Sequence, residues 1–233
     1  LKLDILNSAN KKNQGILRTD FLSFVKTIWP EFIEGNHHKT IADSFNRILK
    51  GDLKRLIINM PPRHTKSEFA SYFLPAWMIG NRPDLKIIQA THTAELAIRF
   101  GRKAKTLIDS GEYQDLFTTR LREDSKAAGR WETNKGGEYF AVGVQGAVTG
   151  RGADLLIIDD PHSEQDVNSP TAFDNAYEWY TSGPRQRLQP GGAIVVVMTR
   201  WSTKDLTAQL VNAGAKEPKA DQWEVIEFPA ILP

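Results

Sequence analysis

Residues 55–67 read Arg55-Leu-Ile-Ile-Asn-Met-Pro-Pro-Arg-His-Thr-Lys-Ser67, a short apolar run of strand length that breaks at a Pro-Pro turn. Residues 67–79 then carry the apolar spacing of a helix, with Gly80 as its stop signal. A phosphate bound at such a corner needs backbone N–H donors, a helix N-terminus, one ammonium and a hydroxyl for Mg²⁺. Lys66 and Ser67 stand where the pattern G-x-x-x-x-G-K-[S/T] would put them, but Met60 and Thr65 occupy its two glycine positions. Pro61 and Pro62 have no N–H to donate, so the cradle has to come from Arg63, His64, Thr65, Lys66 and Ser67. Thr65 is β-branched and resists a positive φ, from which a tighter, modified loop path is expected. Arg63 brings charge where donors are lost. The plainer alternative is a strand–turn–helix corner with a solvated lysine.

Working outward, Asp154-Leu-Leu-Ile-Ile-Asp159-Asp160 is a second apolar strand, and it ends in paired carboxylates. Open α/β sheets place ligands beyond the carboxyl ends of their strands, so these acids should emerge beside the loop. One carboxylate can hold Mg²⁺ through its water shell while the next orients and deprotonates a water. A third strand, Val195-Val-Val-Met-Thr199, lying between the first two, would bring Thr199 near a terminal phosphate. The competing reading makes Thr199 the cap of a helix starting near residue 203. Gly150-Arg151-Gly152 reads as a mobile, exposed loop able to present one guanidinium to another subunit's nucleotide, or simply to water.

The rest of the chain supplies the frame. Residues 16–28 and 38–50 each place apolar side chains on one helical stripe, the second stopped by Gly51. Residues 86–91 read as a buried strand and 93–109 as a helix ended by Ser110-Gly111. Residues 130–150 are Gly-rich, with short alternating runs that suggest a hairpin or β-extension. A last strand is expected over 223–228. Near-continuous Leu/Ile/Val strands suit a sheet covered on both faces, and strands alternating with helices argue for a mostly parallel α/β fold. The expected organisation is an N-terminal helical annex over 1–50 and a core over 51–233.

Composition narrows the function classes. The 233 residues are 40% hydrophobic and 25% charged, which describes a globular chain rather than a fibre or a disordered tail. The absence of cysteine excludes disulfides, thiolate metal sites and cysteine nucleophiles. No apolar run approaches the roughly 20 residues that span a bilayer. A net charge of +2 is compatible with nucleic acid without demanding it.

Taken in order, Pro61-Pro-Arg-His-Thr-Lys-Ser67, Phe73-Leu-Pro-Ala-Trp77, Gly150-Arg-Gly152, Ile157-Ile-Asp-Asp-Pro161 and Met198-Thr-Arg-Trp201 with Asp205-Leu206 resemble the ATPase domain of the large terminase subunit of tailed bacteriophages. The resemblance runs over nearly the whole chain, and its specificity lies in the ordered set rather than in any single motif. It implies a RecA-like P-loop fold of the additional-strand, catalytic-glutamate type, with ATP and Mg²⁺ as cofactors. It implies a homo-oligomeric ring on the portal of a procapsid in the host bacterial cytoplasm. Double-stranded DNA, the portal protein and the small terminase subunit are the partners it brings, with no membrane. By position, Lys66 and Ser67 become the phosphate-loop residues, Asp159 with Ser67 the metal ligands, Arg151 the trans-acting arginine finger, and Thr199 part of the coupling motif. Such a subunit also carries a nuclease domain; none is expected in these 233 residues, which read as an excised ATPase domain without DNA cleavage.

The sequence departs from that pattern in two places. Thr65 stands where many relatives have Gly. Asp160 stands where the base is often Glu, so that Asp160 and, four residues on, Glu164 are both candidates for the base, with Asp160 preferred. For DNA phosphates the candidates are Arg99, Arg102 and Lys103 on one helix and Arg185 and Arg187 in a stretch, 179–204, that has no acid. His37 and His38 are adjacent on a helix, where they should point apart and make a poor metal pair; His38 or Trp29 could line the adenine. Three other readings use the same residues: a helicase-like remodeller, a small phosphotransferase, and a nucleotide-binding module that does not hydrolyse.

Overall fold

The computed structural model describes residues 15–125 and 127–229. Seven strands form one sheet: β1 (Arg55–Asn59), β2 (Lys86–Thr91), β3 (Arg130–Glu132), β4 (Glu138–Gly143), β5 (Ala153–Asp159), β6 (Leu188–Met198) and β7 (Glu224–Glu227). Their order is β3-β4-β2-β5-β6-β1-β7. Every neighbouring pair is parallel except β3 and β4, which form an antiparallel hairpin at one edge. The expected β-extension is thus the rim of the main sheet, with β4 paired to β2 along its whole length. Trp131 and Tyr139 stack face to face across the hairpin, ring centres 4.8 Å apart.

The period of two along each central strand divides the core. Leu56, Ile58, Leu155, Ile157, Val195 and Val197 face one buried cluster, while Ile57, Leu156, Ile158, Ile194, Val196 and Met198 face another. The first is covered by α1 (Phe21–Ile28), α2 (Asn36–Lys50), α3 (Leu74–Asn81), α4 (Ala94–Ile108) and the short α5 (Gly111–Leu116); the second by α6 (Pro170–Ser182) and α7 (Leu206–Lys216). Two covered faces explain why β5 and β6 read as unbroken apolar runs.

Several local expectations are corrected. The stripe over 16–28 is broken at Asp20, whose carboxylate caps α1 by accepting the Ser23 N–H at 2.9 Å. The helix expected from residue 67 opens as a π-turn, Glu68–Phe73, before becoming α3. Pro75 supplies the reason: a ring in a regular helix clashes with the carbonyl four residues back, and a wider turn relieves that clash. Gly80 lies inside α3 and is not its stop. A Cβ there would sit 2.7 Å from the Phe117 ring, so close packing requires the glycine. Strand β6 begins at Leu188, ahead of the expected apolar run, and α7 begins at Leu206 with Asp205 as its cap, accepting the Ala208 N–H. That excludes Thr199 as the cap. Helices α5 and α6 had no counterpart in the sequence reading. Among the described residues no helix is long and apolar enough to cross a membrane.

Aromatic contacts fix α1 and α2 to the helix behind the loop. Phe21 meets Phe45, Phe69 and Trp77 edge-to-face at 5.0, 5.3 and 5.3 Å. Edge-to-face pairs contribute about 0.5–1.5 kcal/mol each beyond the area they bury.

Candidate functional site

Leaving β1, the chain turns at Met60, whose N–H bonds the Met198 carbonyl of β6. Arg63 and Thr65 then adopt positive φ, 65° and 63°. The expectation that Thr65 would resist this region is therefore overturned: threonine takes the left-handed conformation open to glycine. Backbone that alternates hands in this way curls successive N–H groups toward one point, the geometry of an anion-binding nest. The Thr65 carbonyl accepts the first helical bond, from the Phe69 N–H at 3.0 Å.

The residues on either side of the loop meet. Lys66 is buried, and its ammonium lies 2.9 Å from Asp160 Oδ2. The other Asp160 oxygen accepts the Thr199 N–H at 2.9 Å. Asp160 itself has a φ of 40°, a left-handed kink at the end of β5. Asp159, fully buried, accepts hydrogen bonds from Ser67 Oγ at 3.0 Å and Ser71 Oγ at 2.6 Å. Gln89 Nε2 donates to Ser71 Oγ at 3.0 Å. Burial, reinforced by the Asp160 charge, pushes the Asp159 carboxyl up to about 7, against the opposing pull of the serine hydroxyls and Lys66.

Ser71 and Gln89 were missed from sequence, although both left a signal. Ser71 follows Ser67 by four residues at the start of a helix, and Gln89 interrupts an otherwise apolar strand.

Among the described residues no group of three or more His, Cys, Asp or Glu could cage a metal. Mg²⁺ does not need one, since it commonly takes one or two protein oxygens and keeps water or phosphate in its other positions. Ser67 Oγ and Asp159 Oδ1, already in contact, are an oxygen pair of that kind.

A cleft of about 770 Å³ opens beside the loop, and its walls include Lys66, His92, Asp160, Glu164 and Thr199. Both oxygens of Asp160 are engaged, whereas Glu164 is exposed on the cleft wall. His92, at the end of β2, has a buried Nδ1 with no hydrogen-bond partner among the described residues. His162 is buried too. Its Nε2 accepts the Leu206 N–H at 3.0 Å, tying the end of β5 to the start of α7, and burial lowers its pKa. Thr199 Oγ1 reaches the Met60 carbonyl at 3.4 Å.

Other candidates lie elsewhere. Arg151 is half-buried rather than exposed: its guanidinium pairs with Glu138 and lies 3.8 Å over the Phe140 ring. It precedes β5, and the strand's length puts roughly 20 Å between it and Asp159. Lys103 pairs with Glu68 and sits over Tyr72. Arg185 pairs with Asp221, which also engages Arg55. The acid-free window 179–204 hid this, because the neutralising carboxylates, Asp205 for Arg200 and Asp221 for Arg185, come from beyond its end. Arg187 has a buried Nε without a partner among the described residues. Arg99 and Arg102 line a depression that shares His92, Thr93 and Leu96 with the main cleft.

The annex histidines also differ from expectation. His37 and His38 do not point apart; their ring centres are 3.8 Å from each other. Trp29 packs on Phe73 and Phe32.

A similar fold is found in a solved structure, described as the crystal structure of the HK97 bacteriophage large terminase. It superposes with a TM-score of 0.52 at 12% identity, over 84% of this chain and 39% of that one. The fold is terminase-like. The chain spans about two fifths of the length of that structure. No family model matches the sequence, and no curated protein matches it either.

Proposed function

We propose that this chain is the ATP-hydrolysing motor domain of a terminase-type DNA-packaging machine, with a RecA-like P-loop core. The observation that carries this reading is the convergence of Lys66 and Ser67, after β1, with Asp159 and Asp160, at the end of β5, across the intervening end of β6. An ammonium, a hydroxyl and two carboxylates of different burial are the groups that phosphoryl transfer to water requires.

In this reading the amides of residues 63–67 and the Lys66 ammonium hold the triphosphate. Ser67 and Asp159 hold Mg²⁺, which supplies charge neutralisation on the phosphates. Asp160, or Glu164 from the wall of the same cleft, orients the attacking water and takes its proton. Glu164 has a specific argument in its favour, since neither Lys66 nor Thr199 occupies it. Arg99 and Arg102, in the depression that adjoins the cleft, are the basic residues best placed for DNA phosphates. Arg151 has to leave Glu138 and Phe140 before it can act on a neighbouring subunit. Double-stranded DNA, a portal, a small subunit and a ring of identical subunits belong to this proposal as the partners a packaging motor needs.

The test is nucleotide turnover with ATP and Mg²⁺ by the wild-type chain and by Lys66→Ala. Hydrolysis abolished with Lys66→Ala supports the reading. Hydrolysis that survives the substitution refutes it, and binding without turnover by the wild type favours the non-hydrolysing module.

A further inference from the structure

We propose that His38 is a positioning residue for the phosphate loop, holding Thr65 in the left-handed conformation that glycine would adopt unaided. The functional part of this inference rests on the phosphate-loop reading above; the conformational part does not.

Thr65 is the residue immediately before Lys66, and at φ 63° its branched side chain opposes its own backbone. Something outside the loop has to stabilise that geometry. His38 Nε2 lies 2.5 Å from Thr65 Oγ1, a contact between residues 27 positions apart. The other ring nitrogen, Nδ1, accepts the Gly35 N–H at 2.9 Å. An Nδ1 that accepts must be unprotonated, so the ring proton sits on Nε2 and is donated to threonine. Thr65 Oγ1 in turn donates to the His64 carbonyl at 2.6 Å. The resulting relay, Gly35 N–H to His38 to Thr65 to His64 C=O, leaves the threonine hydroxyl one direction in which to point.

The imidazole is itself held in place. His38 is 5% exposed and lies against Phe32 and Phe69, with ring centres 4.7 and 5.0 Å away. Phe69 belongs to the π-turn that follows the loop, so one ring contacts both the loop and the turn it leads into. Threonine is therefore not a neutral replacement for glycine here: its hydroxyl gives α2 a handle on the loop that glycine could not offer.

The test is a set of four variants, His38→Ala, His38→Gln, Thr65→Gly and the double His38→Ala/Thr65→Gly, each checked for thermal unfolding. Two readouts are taken: amide hydrogen exchange of residues 63–67 in the chain alone, and the Kd for ATP with Mg²⁺. His38→Ala is expected to speed exchange at residues 64–67 and to weaken ATP at least tenfold. Thr65→Gly in the same chain should restore ATP binding to within about threefold of wild type, because glycine needs no support. His38→Gln, whose amide N–H can replace Nε2–H, should retain most of both properties and serves if the alanine variant does not fold. Exchange and affinity unchanged by His38→Ala would overturn the proposal, as would a double variant no better than His38→Ala. A wild-type chain that binds no ATP refutes the phosphate-loop reading alone, and hydrogen exchange then still decides what His38 does.

Discussion

The Lys66 ammonium and the Asp160 carboxylate form a salt bridge at 2.9 Å between the loop after β1 and the end of β5. Asp160 is thus both the ion-pair partner of the lysine proposed to bind phosphate and a candidate base, and a triphosphate bound as proposed would compete with it for that lysine. Asp160→Asn removes the competitor without changing shape. Nucleotide affinity is expected to stay equal or tighten several-fold, while turnover falls by about 10²–10⁴ if Asp160 is the base. Titration with a fluorescent ATP analogue alongside a phosphate-release assay reads both. Should Glu164→Gln stop turnover and Asp160→Asn leave it intact, the base is Glu164.

Ser71 donates to Asp159 and accepts from Gln89 in a site closed to water. Ser71→Ala leaves a buried amide donor and a buried carboxylate oxygen each short of a partner. A cost of about 1–3 kcal/mol follows, measurable as a lower urea midpoint with an unchanged m-value. No loss of stability would mean that Asp159 does not depend on this bond.

Arg151 makes its contacts with the sheet edge through Glu138 and Phe140. Arg151→Ala is expected to cost about 1 kcal/mol through the lost cation–π contact and ion pair. Mixing this variant with Lys66→Ala separates stability from catalysis. Hydrolysis recovered in the mixture assigns Arg151 to a neighbouring subunit's site, whereas two independently defective chains confine it to its own.

The His38 imidazole is held down to about 4, chiefly by burial and then by neighbouring His37, with Glu34 pulling the other way and His64 adding to His37. A group whose folded pKa is depressed binds its proton more readily in the unfolded chain. Its contribution to stability is therefore complete above the unfolded value near 6.5 and is lost as pH falls from there toward 4. Unfolding free energies of wild type and His38→Gln should converge over that window, with a slope difference of up to about 1.4 kcal/mol per pH unit. Parallel curves would show that the ring titrates normally.

The strands and the charged ends of the site were legible in the sequence because both follow short-range rules. Apolar runs bounded by turns located β1, β2, β5 and β6, and chain order placed Lys66, Ser67, Asp159, Asp160 and Thr199 at strand ends on one side of a parallel sheet. What remained hidden depends on contacts distant in sequence. No window around Gly80 contains Phe117, the ring that requires the glycine, and no window around Arg185 contains Asp221, which neutralises it. Thr65 looked unsuited to its loop because its support, His38, comes from a different helix. The π-turn at Glu68–Phe73 was missed for a different reason: Pro75 was within the segment, but a proline can end a helix, kink it or widen it, and only packing selects among these.

β6 is interposed between the strand that leads into the loop and the strand that carries both acids, so the two halves of the site share no backbone hydrogen bond. Thr199, at the end of that middle strand, is what each half touches in common, through Asp160 on one side and the Met60 carbonyl on the other. The spacing of the groups proposed for catalysis is consequently a property of a segment that contributes no charged group to the site. A one-residue deletion in the apolar stretch of β6 would shift its inward and outward faces, separate lysine from aspartate, and silence the chain while every residue assigned a chemical role remained in place.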